Sequence, residues 1–218
     1  MTNSSNFFNQ SIEEYERYLQ DYLTHLVIPD PILKEAIAYV LTTPSKKIRA
    51  QMVYSAGYLY QLPTTLLNPI ALAIELIHAY SLVHDDLPAM DDDDWRRGKP
   101  SCHIAFNEAT AILAGNALHH LALNHLIENL PQNAKTLAVI HTILTHIGPE
   151  GILSGQSMDL RLLKEHDLNL ETLTQIHHLK TTALLQAILE SIWTLSEQNP
   201  KDKEILQHYA QHFGLAYQ

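Results

Sequence analysis

Nowhere in 218 residues does the chain alternate polar and apolar side chains, and prolines mark off segments rich in Leu, Ala, Ile, Gln, Glu and His. A half-buried strand needs that period-two alternation, so the chain is restricted to helices. Glycine is scarce, at seven residues, which disfavours turn-rich β folds and glycine-rich dinucleotide-binding folds. Apolar residues make up 46% and charged residues 17%, a balance that supports a core and argues against disorder. The expected fold is all-α, a single domain over 1–218 with one bundle-like core. Ser11, with Glu14 three residues on, reads as the cap of a helix over 11–26. Further helices are expected over about 31–41, 46–60, 69–86, 104–128, 133–147, 151–163, 170–195 and from 201 onward.

Lys and Arg number 14 against 24 Asp and Glu, a net charge of −10. That argues against a general nucleic-acid binder, which needs clustered positive charge. The lone Cys102 excludes an internal disulfide framework and a cysteine-cluster zinc site, and suits a reducing cytoplasm. No basic-then-apolar leader opens the chain. The two most apolar stretches, 66–82 and 109–127, are interrupted by Asn68, Pro69, Glu75 and His78 and by Asn116, His119 and His120. No membrane span is expected from either.

Six of the acidic residues fall within ten positions: Asp85, Asp86, Asp91, Asp92, Asp93 and Asp94. The first pair ends an apolar helix, HAYSLVHDD, where the helix dipole favours cations. A divalent cation would relieve both repulsion and dipole, and all-oxygen ligands point to Mg²⁺ rather than Zn²⁺. On continuous helix Asp85 and Asp91 would stand about 240° apart. Pro88 disfavours helix at Leu87, which lets Asp91 fold back beside Asp85. The plainer explanation is a solvated acidic loop. Arg96 and Arg97 follow, and with metal-bound carboxylates they would make a receptacle for diphosphate. Alternatively they simply balance the aspartates in exposed ion pairs.

Lys46, Lys47 and Arg49 are expected in the first turn of a helix, where exposed N–H groups and basic side chains together make an anion site, or merely an exposed basic turn. His78 precedes Asp85 by seven residues and so points to the same side of its helix. Gln156 and Asp159 share a face in SGQSMDL. Lys180-Thr181 in HHLKTTALL needs an anion if it faces inward, or reaches the surface if it does not.

The stretch IHAYSLVHDDLPAMDDDDWRRGKPSCHIAF resembles the first aspartate-rich region of the trans-isoprenyl diphosphate (polyprenyl) synthase family, and especially of its bacterial farnesyl diphosphate synthases. GNAL, GQSMDL and HHLKTTALL resemble further family motifs in the expected order, and PSKKIRA stands where the family has Gly-Gly-Lys-Arg-Leu-Arg-Pro. FGLAYQ resembles the lead-in to a second aspartate-rich motif. The resemblance implies an isoprenoid-synthase-type helical bundle with a central active-site cavity, usually a cytoplasmic homodimer. It implies Mg²⁺-dependent condensation of isopentenyl diphosphate with dimethylallyl or geranyl diphosphate to farnesyl diphosphate. Asp85 and Asp91 would be metal ligands, with Asp86 supporting. Arg96 would hold the allylic diphosphate. Lys46, Arg49, His78 and Arg97 would hold isopentenyl diphosphate. Lys180, Thr181 and Gln156 would line the allylic diphosphate side, as would Gln218. Tyr80, five positions before Asp85, together with the Pro88-containing insertion, resembles producers of a fifteen-carbon product.

Three departures stand out. Pro44-Ser45 replaces the expected glycine pair, Lys47 an arginine, and Ala50 a proline. The second aspartate-rich motif does not occur in 1–218, so the chain reads as C-terminally truncated and is expected to be weak or inactive alone. Two other function classes compete. One is a non-catalytic helical subunit that binds diphosphates or a partner. The other is a class I terpene cyclase, which would have no use for Lys46, Arg49 and His78.

Overall fold

A computed structural model describes residues 4–162, 169–196 and 199–217. It falls into two compact units, Met1–Tyr54 with Thr65–Asn129, and Ser55–Thr64 with Leu130–Gln218. The described residues are overwhelmingly helical, as the sequence pattern requires.

The first unit holds α1 (Ser4–His25), α2 (Pro31–Thr42), the start of α3 (Ile48–Leu59), α4 (Thr64–Asp85), a two-stranded hairpin of β1 (Trp95–Arg96) and β2 (Lys99–Pro100), α5 (Cys102–Ala105) and α6 (Glu108–Asn129). α2 starts as its sequence dictates: the Asp30 carboxylate accepts the Ile32 and Leu33 N–H groups, and Pro31 fills the first position. Two expected starts are corrected. Ser11 is no cap but lies inside α1, its hydroxyl donating to the Phe7 carbonyl. α4 begins five residues before Pro69 and carries that proline in its interior. Proline has no N–H to offer the Thr65 carbonyl, and burial of the helix outweighs that loss.

α4 is the core of this unit, with every residue from Leu67 to Ile77 buried. Each fully buried Ile or Leu contributes roughly 2 kcal/mol relative to exposure. By length and composition α4 could cross a membrane, yet 78% of that stretch is buried inside the protein. Its polar members are satisfied. Asn68 accepts from Tyr54 Oη at 2.9 Å and donates to Glu14 at 2.8 Å. α6 buries Ala111, Ala114, Gly115, Leu118, Ala122 and Leu126, a helical stripe of mostly small residues.

The hairpin was not legible from alternation. It pairs only Trp95 with Pro100 and Arg96 with Lys99. Arg97 and Gly98 turn it with φ of 55° and 77°, the two positive values that a type I′ turn needs.

The second unit holds α7 (Ala134–Ile147), α8 (Ile152–Leu162), α9 (Leu170–His177), a π-helical turn (His178–Thr182), α10 (Ala183–Ser196) and α11 (Pro200–Tyr217). α7 presents Val139, Ile143 and Ile147 to the core, and α10 contributes Leu184, Leu185, Ile188 and Ile192. The helix expected over 170–195 is interrupted by the π turn. There Gly155 of α8 meets backbone directly: a Cβ at 155 would lie 2.5 Å from the Lys180 nitrogen. Such bulges concentrate at functional sites, and this one carries Lys180 and Thr181.

Candidate active site

The first unit gathers a carboxylate pair and a basic cluster around one helix. α4 ends at Asp85. The chain then turns so that Asp91 N donates to the Asp85 carbonyl at 2.9 Å, Asp92 N to Leu87 at 3.2 Å and Asp93 N to Asp86 at 3.2 Å. This is the fold-back that Pro88 leads one to expect. It brings Asp91, six residues distant in sequence, onto the end of the helix that carries Asp85.

Asp86 is treated differently from its neighbours. Only 3% exposed, it accepts from Arg96 Nε at 2.9 Å and also from Arg96 Nη2, and Nη2 bonds Asp93 at 2.9 Å. Burial pushes the Asp86 carboxyl up, and Arg96 opposes the shift. The Arg96 guanidinium thus ties the aspartate loop to the buried Asp86, a pairing that is not the exposed balance of charges weighed above.

Arg97 takes another course. Its Nη2 lies 3.2 Å from His78 Nε2, and Arg49 Nη1 lies 3.0 Å from the same atom. Guanidinium groups only donate, so Nε2 must be the acceptor and the imidazole is neutral with its proton on Nδ1. Burial of His78, reinforced by Arg49, Arg97, Lys47 and Arg96, holds its pKa well below the usual value. A neutral histidine thus draws two arginines together without adding positive charge.

The basic turn differs from expectation. α3 starts at Ile48, so Lys46 and Lys47 precede the helix and only Arg49 sits in its first turn. Lys46 is exposed. Lys47 adopts a left-handed φ of 47°, which turns Nζ inward to donate to the Leu41 carbonyl at 3.2 Å. The Ala50 departure also has a consequence. Its N–H donates to the buried Glu75 carboxylate at 3.1 Å, a bond that proline could not make. Lys47, Glu75, His78, Asp86, Arg96 and Arg97 share the wall of one cavity of about 40 Å³, room for a water or so. Sequence pattern singled out Arg49, His78 and Arg97 but not Glu75, whose only signal was an acid in an apolar run.

In the second unit Lys180 Nζ donates to Asp159 at 2.7 Å, so the lysine meets a carboxylate within the protein. Gln156 is buried, and its amide oxygen and nitrogen have no hydrogen-bond partner among the described residues. Buried amide atoms without partners are costly and would be satisfied by a polar ligand. Thr181 lies in the π turn. Gln218 lies outside the described residues.

Polyprenyl synthetases as a family match residues 30–218. The chain belongs to the polyprenyl synthetase family. It is 36% identical to farnesyl diphosphate synthase of Escherichia coli over 97% of this chain and 73% of that protein. It is 40% identical to farnesyl diphosphate synthase of Haemophilus influenzae, over 97% and 74%. The structure of a geranyltransferase from Legionella pneumophila superposes with a TM-score of 0.94 at 40% identity, covering 98% of this chain and 76% of that one. A polyprenyl synthetase of this kind has the isoprenoid-synthase helical fold.

Proposed function

We propose that this polyprenyl synthetase is a prenyltransferase that condenses isopentenyl diphosphate with dimethylallyl or geranyl diphosphate to give farnesyl diphosphate. One observation carries the assignment: the Asp85–Asp91 pair and the Arg49–His78–Arg97 cluster are built on and around α4. That gives one helix two different means of holding a diphosphate. The farnesyl synthases among the relatives support the fifteen-carbon product.

The donor set fits Mg²⁺. Among the described residues no three His, Cys, Asp or Glu side chains converge as a complete cage. Mg²⁺ is commonly held by one or two carboxylates, with water and substrate phosphate completing the shell. Asp85 and Asp91 would hold it. When bound it would neutralise the phosphate oxygens of the allylic substrate and of the diphosphate that departs. Arg96, fixed by Asp86 and Asp93, keeps the loop that carries Asp91 in place. In the second unit Lys180 and Thr181 are assigned to diphosphate binding, with Asp159 orienting the Lys180 ammonium and Gln156 offering its unpartnered amide. Stabilising diphosphate more after cleavage than before lowers the barrier to forming the allylic cation.

Lys46, Arg49 and Arg97 would take the diphosphate of isopentenyl diphosphate, with neutral His78 setting the spacing of the guanidinium groups. Because the cavity between them is narrow, the anion binds at its mouth, where Arg97 is exposed. Holding the double bond of this substrate against the allylic carbon makes coupling effectively unimolecular. The same proposal includes a cytoplasmic homodimer organised as one domain over 1–218, and the buried free thiol of Cys102 suits that compartment. Product analysis with dimethylallyl and isopentenyl diphosphates, with and without Mg²⁺, tests the function. Cation-dependent diphosphate binding is expected, with at most weak formation of a C15 diphosphate by residues 1–218. Absence of cation-dependent diphosphate binding, together with absence of product, would remove the proposal.

A further inference from the structure

We propose that His84 and Gly115 form a lock between α4 and α6 that positions the last turn of α4, and with it Asp85 and the Asp91 fold-back. As a statement about metal-site geometry it rests on the function proposed above.

Gly115 faces the His84 ring so closely that a Cβ there would lie 2.1 Å from Nε2, 2.4 Å from Cδ2 and 2.9 Å from Cε1. The imidazole thus occupies the space a side chain on α6 would fill. His84 Nε2 donates to the Ile112 carbonyl at 3.2 Å, so the ring both packs on α6 and bonds to its backbone. One turn earlier on α4, Tyr80 meets His84 edge-on at 5.9 Å, and it meets His119 of α6 at 5.1 Å. Tyr80 lies four residues before His84, and His119 four residues after Gly115. These two rungs run the helices antiparallel and fix their register.

The consequence is local. His84 immediately precedes Asp85, whose carbonyl receives the Asp91 N–H. A shift of this turn moves the Asp85 side chain and the anchor of the returning loop together. Two carboxylates sharing a small cation tolerate little displacement, because Mg²⁺ demands near-octahedral geometry at about 2.1 Å. The glycine of the GNAL segment is therefore explained by a close approach and not by backbone conformation, since it sits within a regular helix.

The test compares Gly115→Ala, His84→Ala, the double variant and His84→Gln, whose amide can still donate to Ile112. Two readouts are taken. One is amide hydrogen exchange over 86–93, which needs no ligand. The other is calorimetric binding of inorganic pyrophosphate with and without Mg²⁺. Gly115→Ala is expected to accelerate exchange and weaken Mg²⁺-dependent binding about tenfold. Adding His84→Ala removes the clash and returns both readouts to the level of His84→Ala alone, while His84→Gln stays near the unsubstituted protein. A double variant as impaired as Gly115→Ala, or a Gly115→Ala protein that exchanges like the unsubstituted one, would overturn the lock. If the unsubstituted protein shows no Mg²⁺-dependent binding, the proposed function fails, and the exchange comparison still decides the lock.

Discussion

Replacing Arg96 by methionine isolates the pair that closes the aspartate loop. The Asp86 side chain is 4% exposed and that of Arg96 33%. Removing one partner of a fully buried ion pair costs about 3–5 kcal/mol. Here Arg96 is one-third solvated and Asp86 can take up a proton, which together reduce the cost to about 2 kcal/mol. In a chain of this length that is a fall in Tm of about 4–8 °C, at about 2–4 °C per kcal/mol. The sign of the pH dependence follows from the shift. Burial raises the Asp86 pKa and Arg96 restrains it, so without Arg96 it climbs further. The deficit of Arg96→Met is then fully present above the raised pKa of the variant and shrinks as pH falls through it, because a neutral Asp86 no longer needs a counter-ion. Thermal unfolding followed by circular dichroism at several pH values, with Asp86→Asn and the double variant completing a cycle, measures this. A Tm unchanged at neutral pH, or a deficit that grows on acidification, would refute the argument.

Three further outcomes are expected. Glu190 of α10 is held down to about 2 by His146 of α7, with Gln207 and Lys203 of α11 adding to it. Its contribution of about 3 kcal/mol should be present above the unfolded-state pKa and be lost as pH falls toward 2, so Glu190→Gln lowers stability in urea at pH 7 and converges on the unsubstituted protein at low pH. His78→Leu takes away the acceptor that Arg49 and Arg97 share, and calorimetry should show isopentenyl diphosphate affinity reduced about tenfold, the equivalent of 1.4 kcal/mol, with helicity unchanged. Gly155→Ala forces α8 away from the backbone at Lys180 and is expected to cost about 1–3 kcal/mol in denaturant unfolding.

Much of this was legible because helices announce themselves through proline, capping and the lack of alternation. Pro31 is an example: it marks the start of α2 where the structure has it. Pro88 likewise foretold the return of Asp91. What stayed hidden depends on contacts distant in sequence. Ser11 has the pattern of a cap, yet about two turns of helix precede it. Pro69 looks like a boundary, yet the burial of α4 overrides the propensity. The Arg97-Gly98 hairpin is too short for alternation to show. The π turn is set by Gly155, more than twenty residues away, and the inward turn of Lys47 by a single left-handed backbone angle. For Arg96 the sequence did not show the pairing with Asp86, because the burial of that carboxylate depends on the folded chain.

The most direct measurement titrates the two diphosphates separately, with and without Mg²⁺, against Asp85→Asn/Asp91→Asn and Arg49→Met/Arg97→Met proteins. Geranyl diphosphate should need the cation and lose affinity only in the first variant, and isopentenyl diphosphate should bind without it and lose affinity only in the second. Equal losses of both ligands in both variants, or no loss in either, would contradict two distinct diphosphate-holding devices on α4.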